Sequence, residues 1–68
     1  MRDDAKLTKA QVAVLLRASW GHSNGEIAES LEMAKRTVDA HLSDIYLRLG
    51  VSNRVQAINE ARRLGLIP

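Results

Sequence analysis

Helix start and stop signals recur so closely along this chain that little room is left for anything but helices. Thr8 with Gln11, and Ser23 with Glu26, have the spacing of a capping box, in which side chains satisfy backbone N–H groups that a first helical turn leaves unpaired. Asn53 with Gln56 is a variant, with an amide as the cap. Gly21, Gly50 and Gly65 each follow a helical run, where a left-handed residue ends the helix most cheaply as glycine. Val51 and Leu66 come next, placed to fold back on the core. No sustained two-residue alternation and no Asn-Gly or Asp-Gly turn argues for strands. The signals predict an all-α chain of four helices, over about 8–20, 24–32, 35–49 and 54–64.

Apolar spacing supplies each helix with an inward stripe. Val12, Leu15, Leu16 and Ser19 mark it in the first helix, and Ile27, Ala28 and Leu31 in the second. In the third it is Val38, Leu42, Ile45 and Leu49, with His41 at its edge. The fourth is expected to bury Ile58, Ala61 and the stem of Arg54 or Arg62. Residues 7–68 form one domain on this reading, with residues 1–6 as a flexible lead.

A chain of 68 residues lies near the lower size limit for unaided folding, where about 60% of the unfolded surface can be buried. It contains no Cys, so disulfides, thiolate metal sites and cysteine nucleophiles are excluded and helix packing must supply the stability. The longest apolar run, Val12 to Leu16, falls far short of the roughly 20 residues that cross a bilayer, and the charged start Met1-Arg2-Asp3-Asp4 is no secretory signal. A cytoplasmic protein without a membrane segment is expected. Charge is unevenly divided: residues 1–34 carry four Lys/Arg against five Asp/Glu, residues 35–68 six against three. The basic excess therefore lies in the half that begins with the third helix.

Only Glu32, Met33 and Ala34 are available to turn the chain between helices two and three, which forces a sharp angle. That is helix-turn-helix spacing, and Ile27, Leu31, Met33 and Val38 are apolar where the two helices face each other. A second helix held this way can push its N-terminal half into a DNA major groove. No alternative chemistry competes. His41 has Asp44 one turn away to orient its ring, but there is one other His, no acidic cluster and no adjacent nucleophile. His41 reads as a packing residue, His22 as a loop residue, and the two aromatics Trp20 and Tyr46 as covers for the core edge. No catalytic residue, metal ligand or cofactor site is assigned.

The segments Leu7-Thr8, Gly21-His22-Ser23-Asn24-Gly25-Glu26-Ile27-Ala28-Glu29, Thr37-Val38-Asp39-Ala40-His41, Leu49-Gly50-Val51-Ser52-Asn53-Arg54 and Gly65-Leu66-Ile67 occur in the order of a known family. Over nearly the whole chain the sequence resembles the LuxR/GerE-type helix-turn-helix domain of bacterial transcription regulators. The resemblance implies a four-helix domain that binds double-stranded DNA, usually at the output end of a longer regulator with a sensor or receiver domain. It also implies a homodimer formed partly through helix four, whose outward face here carries Gln56, Asn59, Glu60 and Arg63. Lys35, Arg36 and Thr37 occupy the first turn of helix three, where free N–H groups and the macrodipole favour phosphate. Arg36, Ala40 and Ser43 line its outward face as base-reading candidates, Ala40 being able to meet a thymine methyl. Ser23, Asn24 and Arg54 are candidate backbone contacts, Arg54 having an equal claim to a structural role.

Four positions depart from the family pattern. Ala34 stands where Ser or Thr commonly caps the recognition helix, at a cost of about 1 kcal/mol. Gly25, Asp39 and Leu47 each replace a customary Lys or Arg, so weaker and less salt-sensitive DNA binding is expected. Asp39 can accept from cytosine N4, pair with Lys35 or Arg36 one turn back, or stand as a solvated carboxylate. The missing cations also motivate an alternative, a helical protein-interaction or dimerisation module of the same fold.

Overall fold

Four helices appear in the computed structural model, which describes residues 7–68: α1 (Lys9–Ser19), α2 (Asn24–Leu31), α3 (Lys35–Leu49) and α4 (Arg54–Arg63). The expected lead over residues 1–6 lies outside the described residues. No strand occurs among the described residues. The helices form where the caps predict. Thr8 Oγ1 accepts from Gln11 N at 3.1 Å while Gln11 Oε1 accepts from Thr8 N at 3.0 Å. Ser23 and Glu26 reproduce this reciprocal pair at 3.1 and 2.7 Å. The third box closes differently: Asn53 caps Gln56 N at 2.9 Å, but the Gln56 side chain reaches one residue further back, to Ser52 N at 2.8 Å.

Gly50 ends α3 at φ 67°, with its own N–H donating to Leu47 O and the Val51 N–H to Tyr46 O, the crossed pair of a Schellman stop. Gly21 and Gly65 close α1 and α4 in the same manner. The end of α2 has no glycine, yet Glu32 adopts φ 56°, ψ 47° and Met33 N donates to Ala28 O at 2.9 Å. A non-glycine residue in this region costs about 1–2 kcal/mol. The three-residue turn requires it, because only a left-handed step redirects the chain quickly enough to start α3 at Lys35.

Both α1 and α3 pack against each of the other three helices, while α2 and α4 do not pack together among the described residues. The core between them is formed by Val14, Leu15, Ala18, Ile27, Ala28, Val38, Leu42, Ile45, Ala57, Ala61 and Ile67. Val38, Leu42 and Ile45 fill the stripe expected of α3, and Ile27 and Ala28 that of α2. Leu31 and Met33 are half-buried at the α2–α3 junction.

Two stripes differ from expectation. On α1 the fully buried set is Gln11, Val14, Leu15 and Ala18, with Val12, Leu16 and Ser19 half-buried beside it, a rotation of about 100° for a one-residue offset. The wide apolar arc of α1 serves three neighbours, and a polar residue can lie within it. Gln11, only 3% exposed, keeps both ends of its amide satisfied, through Thr8 N and through Asp44 Oδ2 at 2.6 Å. On α4 the buried pair is Ala57 and Ala61; Ile58 is half-buried and Arg62 is exposed. Small residues at that contact let α4 lie close against α1 and α3.

Trp20 is also displaced from its expected role. It is 59% exposed, with the Arg17 guanidinium 5.6 Å over its ring and His22 edge-on at 5.9 Å. Gly21 turns the chain immediately after it, leaving the indole outside the core. Tyr46 does pack against the core edge.

Candidate nucleic-acid interface

Burying Val38, Leu42 and Ile45 turns the opposite face of α3 outward. Lys35, Arg36, Asp39, Ala40, Ser43 and Leu47 are all exposed there, and Thr37 is half-buried. Leu47 is 80% exposed, an unusual environment for a large apolar side chain near the helix's far end. Among the described residues, Ala34, Lys35 and Arg36 at the amino end of α3 are all exposed. Ala34 takes the extended geometry of a cap, φ −69°, ψ 148°, but its side chain supplies no acceptor; Thr37 N donates to the Ala34 carbonyl at 2.9 Å, and no side chain caps the N–H groups of Lys35 and Arg36. Those groups, the macrodipole, and the ammonium and guanidinium of Lys35 and Arg36 all favour an incoming anion. Arg36 has no ion-pair partner among the described residues.

Side chains from three helix starts meet beside this end. Asp39 accepts from Asn24 Nδ2 at 2.7 Å through one carboxylate oxygen and from Lys35 Nζ at 3.5 Å through the other. Asn24 Oδ1 in turn accepts from the Arg54 guanidinium, which also donates to the His22 carbonyl at 2.8 Å. Arg54 is half-buried and bridges the otherwise separate flanks of α2 and α4. Asp39 is exposed, its side chain at 48%, and both of its oxygens are engaged within the protein. The pairing with Lys35 has the expected one-turn spacing. The links from Asn24 to Asp39 and Arg54 span 15 and 30 residues, distances over which no local spacing rule operates.

Other candidates stand apart. Ser23 is exposed, and its hydroxyl and N–H are taken by the capping box. Its N–H, donating to Glu26, holds that carboxyl below its ordinary pKa. On α4, Gln56 and Asn59 are exposed, and Glu60 binds Arg63 through both carboxylate oxygens at 2.6 and 3.0 Å, which lowers the Glu60 pKa. Val55 on the first turn of α4 is 67% exposed.

The His41–Asp44 pairing considered from sequence is not formed. Asp44 Oδ2 accepts from Gln11 and from Arg48 at 2.7 Å instead, and these bonds, Gln11's foremost, hold its pKa below the ordinary value. His22, in the α1–α2 loop, has its Nδ1 buried without a hydrogen-bond partner among the described residues. Among the described residues no cluster of three or more His, Cys, Asp or Glu could hold a metal ion. None of their helices is long and apolar enough to cross a membrane.

A sharply turned helix pair, with the second helix open along one polar face and at its amino end, defines a helix-turn-helix DNA-binding domain. The chain belongs to the luxR family of bacterial regulatory proteins, whose family model matches residues 5–61. It is a DNA-binding domain of transcription regulators rather than an enzyme. It is 51% identical over 55 residues to the glycerol metabolism activator of Pseudomonas putida, covering 81% of this chain and 25% of that protein. It is 34% identical over 68 residues to the transcriptional activator RamA of Corynebacterium glutamicum, covering 100% of this chain and 24% of that protein. The chain thus spans about a quarter of the length of either relative. The solved structure of the transcription factor GerE superposes with a TM-score of 0.91 at 33% identity, covering 94% of this chain and 96% of that one. The response regulator ChrA of a heme-sensing two-component system gives 0.89 at 37% identity, over 98% of this chain and 33% of that one.

Proposed function

We propose that this domain binds a two-half-site DNA operator as a homodimer, with the amino half of α3 in the major groove. The observation that carries the reading is the uncovered, uncapped start of α3, whose exposed face presents Arg36, Ala40 and Ser43 opposite the buried stripe. Arg36 suits guanine O6 and N7, Ala40 a thymine methyl, and Ser43 either a donor or an acceptor. Lys35 and Thr37 serve the phosphates, with Ser23, Asn24 and Arg54 steadying the adjoining backbone. Gln56, Asn59, Glu60 and Arg63 form the candidate dimer face on α4. The domain acts in the cytoplasm as the output end of a longer regulator carrying a sensor or receiver domain. Support comes from relatives several times its length and from the response regulator ChrA.

Selection of bound duplexes from a random pool, followed by titration of selected and scrambled duplexes, tests this. The selected duplex should bind tighter than the scrambled one by at least the roughly thousandfold typical of specific complexes. Arg36→Ala should relax preference at one base pair at a cost of about 1–3 kcal/mol, whereas Lys35→Ala should weaken all sequences alike. A domain that binds every duplex equally, or none, overturns the proposal in favour of an interaction module.

A further inference from the structure

The Arg54–Asn24–Asp39–Lys35 chain does more than brace the fold. We propose that Asp39, held in place by Asn24, is a positioning residue that withholds Lys35 from DNA phosphates and so lowers the sequence-independent part of binding. This rests on the DNA-binding reading above.

The two oxygens of Asp39 have different partners. Asn24 Nδ2 takes one at 2.7 Å, and Asn24 is itself oriented because its carbonyl oxygen accepts from Arg54. An amide whose oxygen faces a guanidinium must direct its NH2 group the other way, toward the carboxylate. The bond from Asn24 orients the carboxylate, with its second oxygen 3.5 Å from Lys35 Nζ. Both side chains of this ion pair are substantially exposed, at 65% and 48%, so the pair contributes little to folding. Its consequence lies in the potential at the mouth of α3. A fixed anion beside Lys35 cancels one of the two cations in the helix's first turn and leaves Arg36 as the only uncompensated side-chain cation there. Arg54, the next cation on this side, already donates to the His22 carbonyl and to Asn24. Non-specific binding is almost wholly electrostatic, so a cation held back removes a counterion-release contribution from every duplex.

Asp39→Asn separates the roles, because its amide oxygen still accepts from Asn24 while its charge no longer holds Lys35. Affinity of the 68-residue chain for a scrambled duplex, measured over a range of salt, is the readout. One additional neutralised phosphate steepens the slope of log affinity on log salt by about 0.9, or about eightfold at 0.1 M relative to 1 M. In a Lys35→Ala background the same substitution should have little effect, since no ammonium remains to be released. A brace with no electrostatic role would leave all slopes alike.

The proposal is overturned if Asp39→Asn leaves the slope unchanged, acts equally with and without Lys35, or changes base preference instead, which would make Asp39 a reader. Failure of both wild type and Asp39→Asn to bind any duplex overturns the DNA-binding reading, and the role of the relay with it. Binding without coupling between positions 35 and 39 overturns the relay alone.

Discussion

Replacing Ala34 by Ser should stabilise the domain by up to about 1 kcal/mol, because the helix start it occupies already has the geometry of a cap and lacks only the oxygen. At the other three starts a side-chain oxygen accepts from the N–H three residues on, at 3.1 Å from Thr8, 3.1 Å from Ser23 and 2.9 Å from Asn53. Ala34, at φ −69° and ψ 148°, is close to Thr8 (−77°, 167°) and Ser23 (−72°, 165°). Thr37 N already donates to the Ala34 carbonyl at 2.9 Å, unlike its counterparts at the other starts, so a serine hydroxyl shares that donor or takes the Arg36 N–H, and the gain of about 1 kcal/mol is an upper value. The position is exposed, so no burial of the hydroxyl offsets the gain. For a domain of this size the increment corresponds to about 4–8 °C in Tm. In urea unfolding followed by helical circular dichroism, the midpoint should rise with the slope unchanged. Ala34→Val, which adds bulk but no acceptor, should give no such gain. A serine variant no more stable than the valine one would refute the reasoning.

Further perturbations test other joints of the fold. Glu32→Gly should stabilise by about 0.5–1 kcal/mol, the relief of a left-handed non-glycine residue less the entropy glycine adds to the unfolded chain, again read from the urea midpoint. Gln11→Ala should cost about 2 kcal/mol, since it removes a hydrogen bond to a charged acceptor together with half of a capping box; a loss below 0.5 kcal/mol would mean Asp44 is equally satisfied by Arg48 alone. Asp44, whose pKa is lowered in the folded state, adds stability that is fully present above the ordinary carboxylate range and disappears as pH falls from about 5 through the depressed value. The unfolding midpoint of Asp44→Asn should consequently fall less steeply over that acid range than that of the wild type.

Much of this architecture was legible because helix ends are written locally. Ser23 and Glu26, or Leu47 and Gly50, interact within one turn, so spacing alone predicts their bonds, and the four helices start and stop within a residue or so of expectation. The inward stripe of α3 followed from its period, and with it the outward set Arg36, Ala40 and Ser43. Relations between helices were not written locally. Which arc of α1 is buried depended on how many neighbours surround it, and the burial of Gln11 depended on an Asp44 oxygen 33 residues away. Asp39 likewise left three readings open in sequence. Its environment was chosen when packing brought the starts of α2 and α4 beside α3, because a hydrogen bond between distant residues has no signature until the core has set the distance between them.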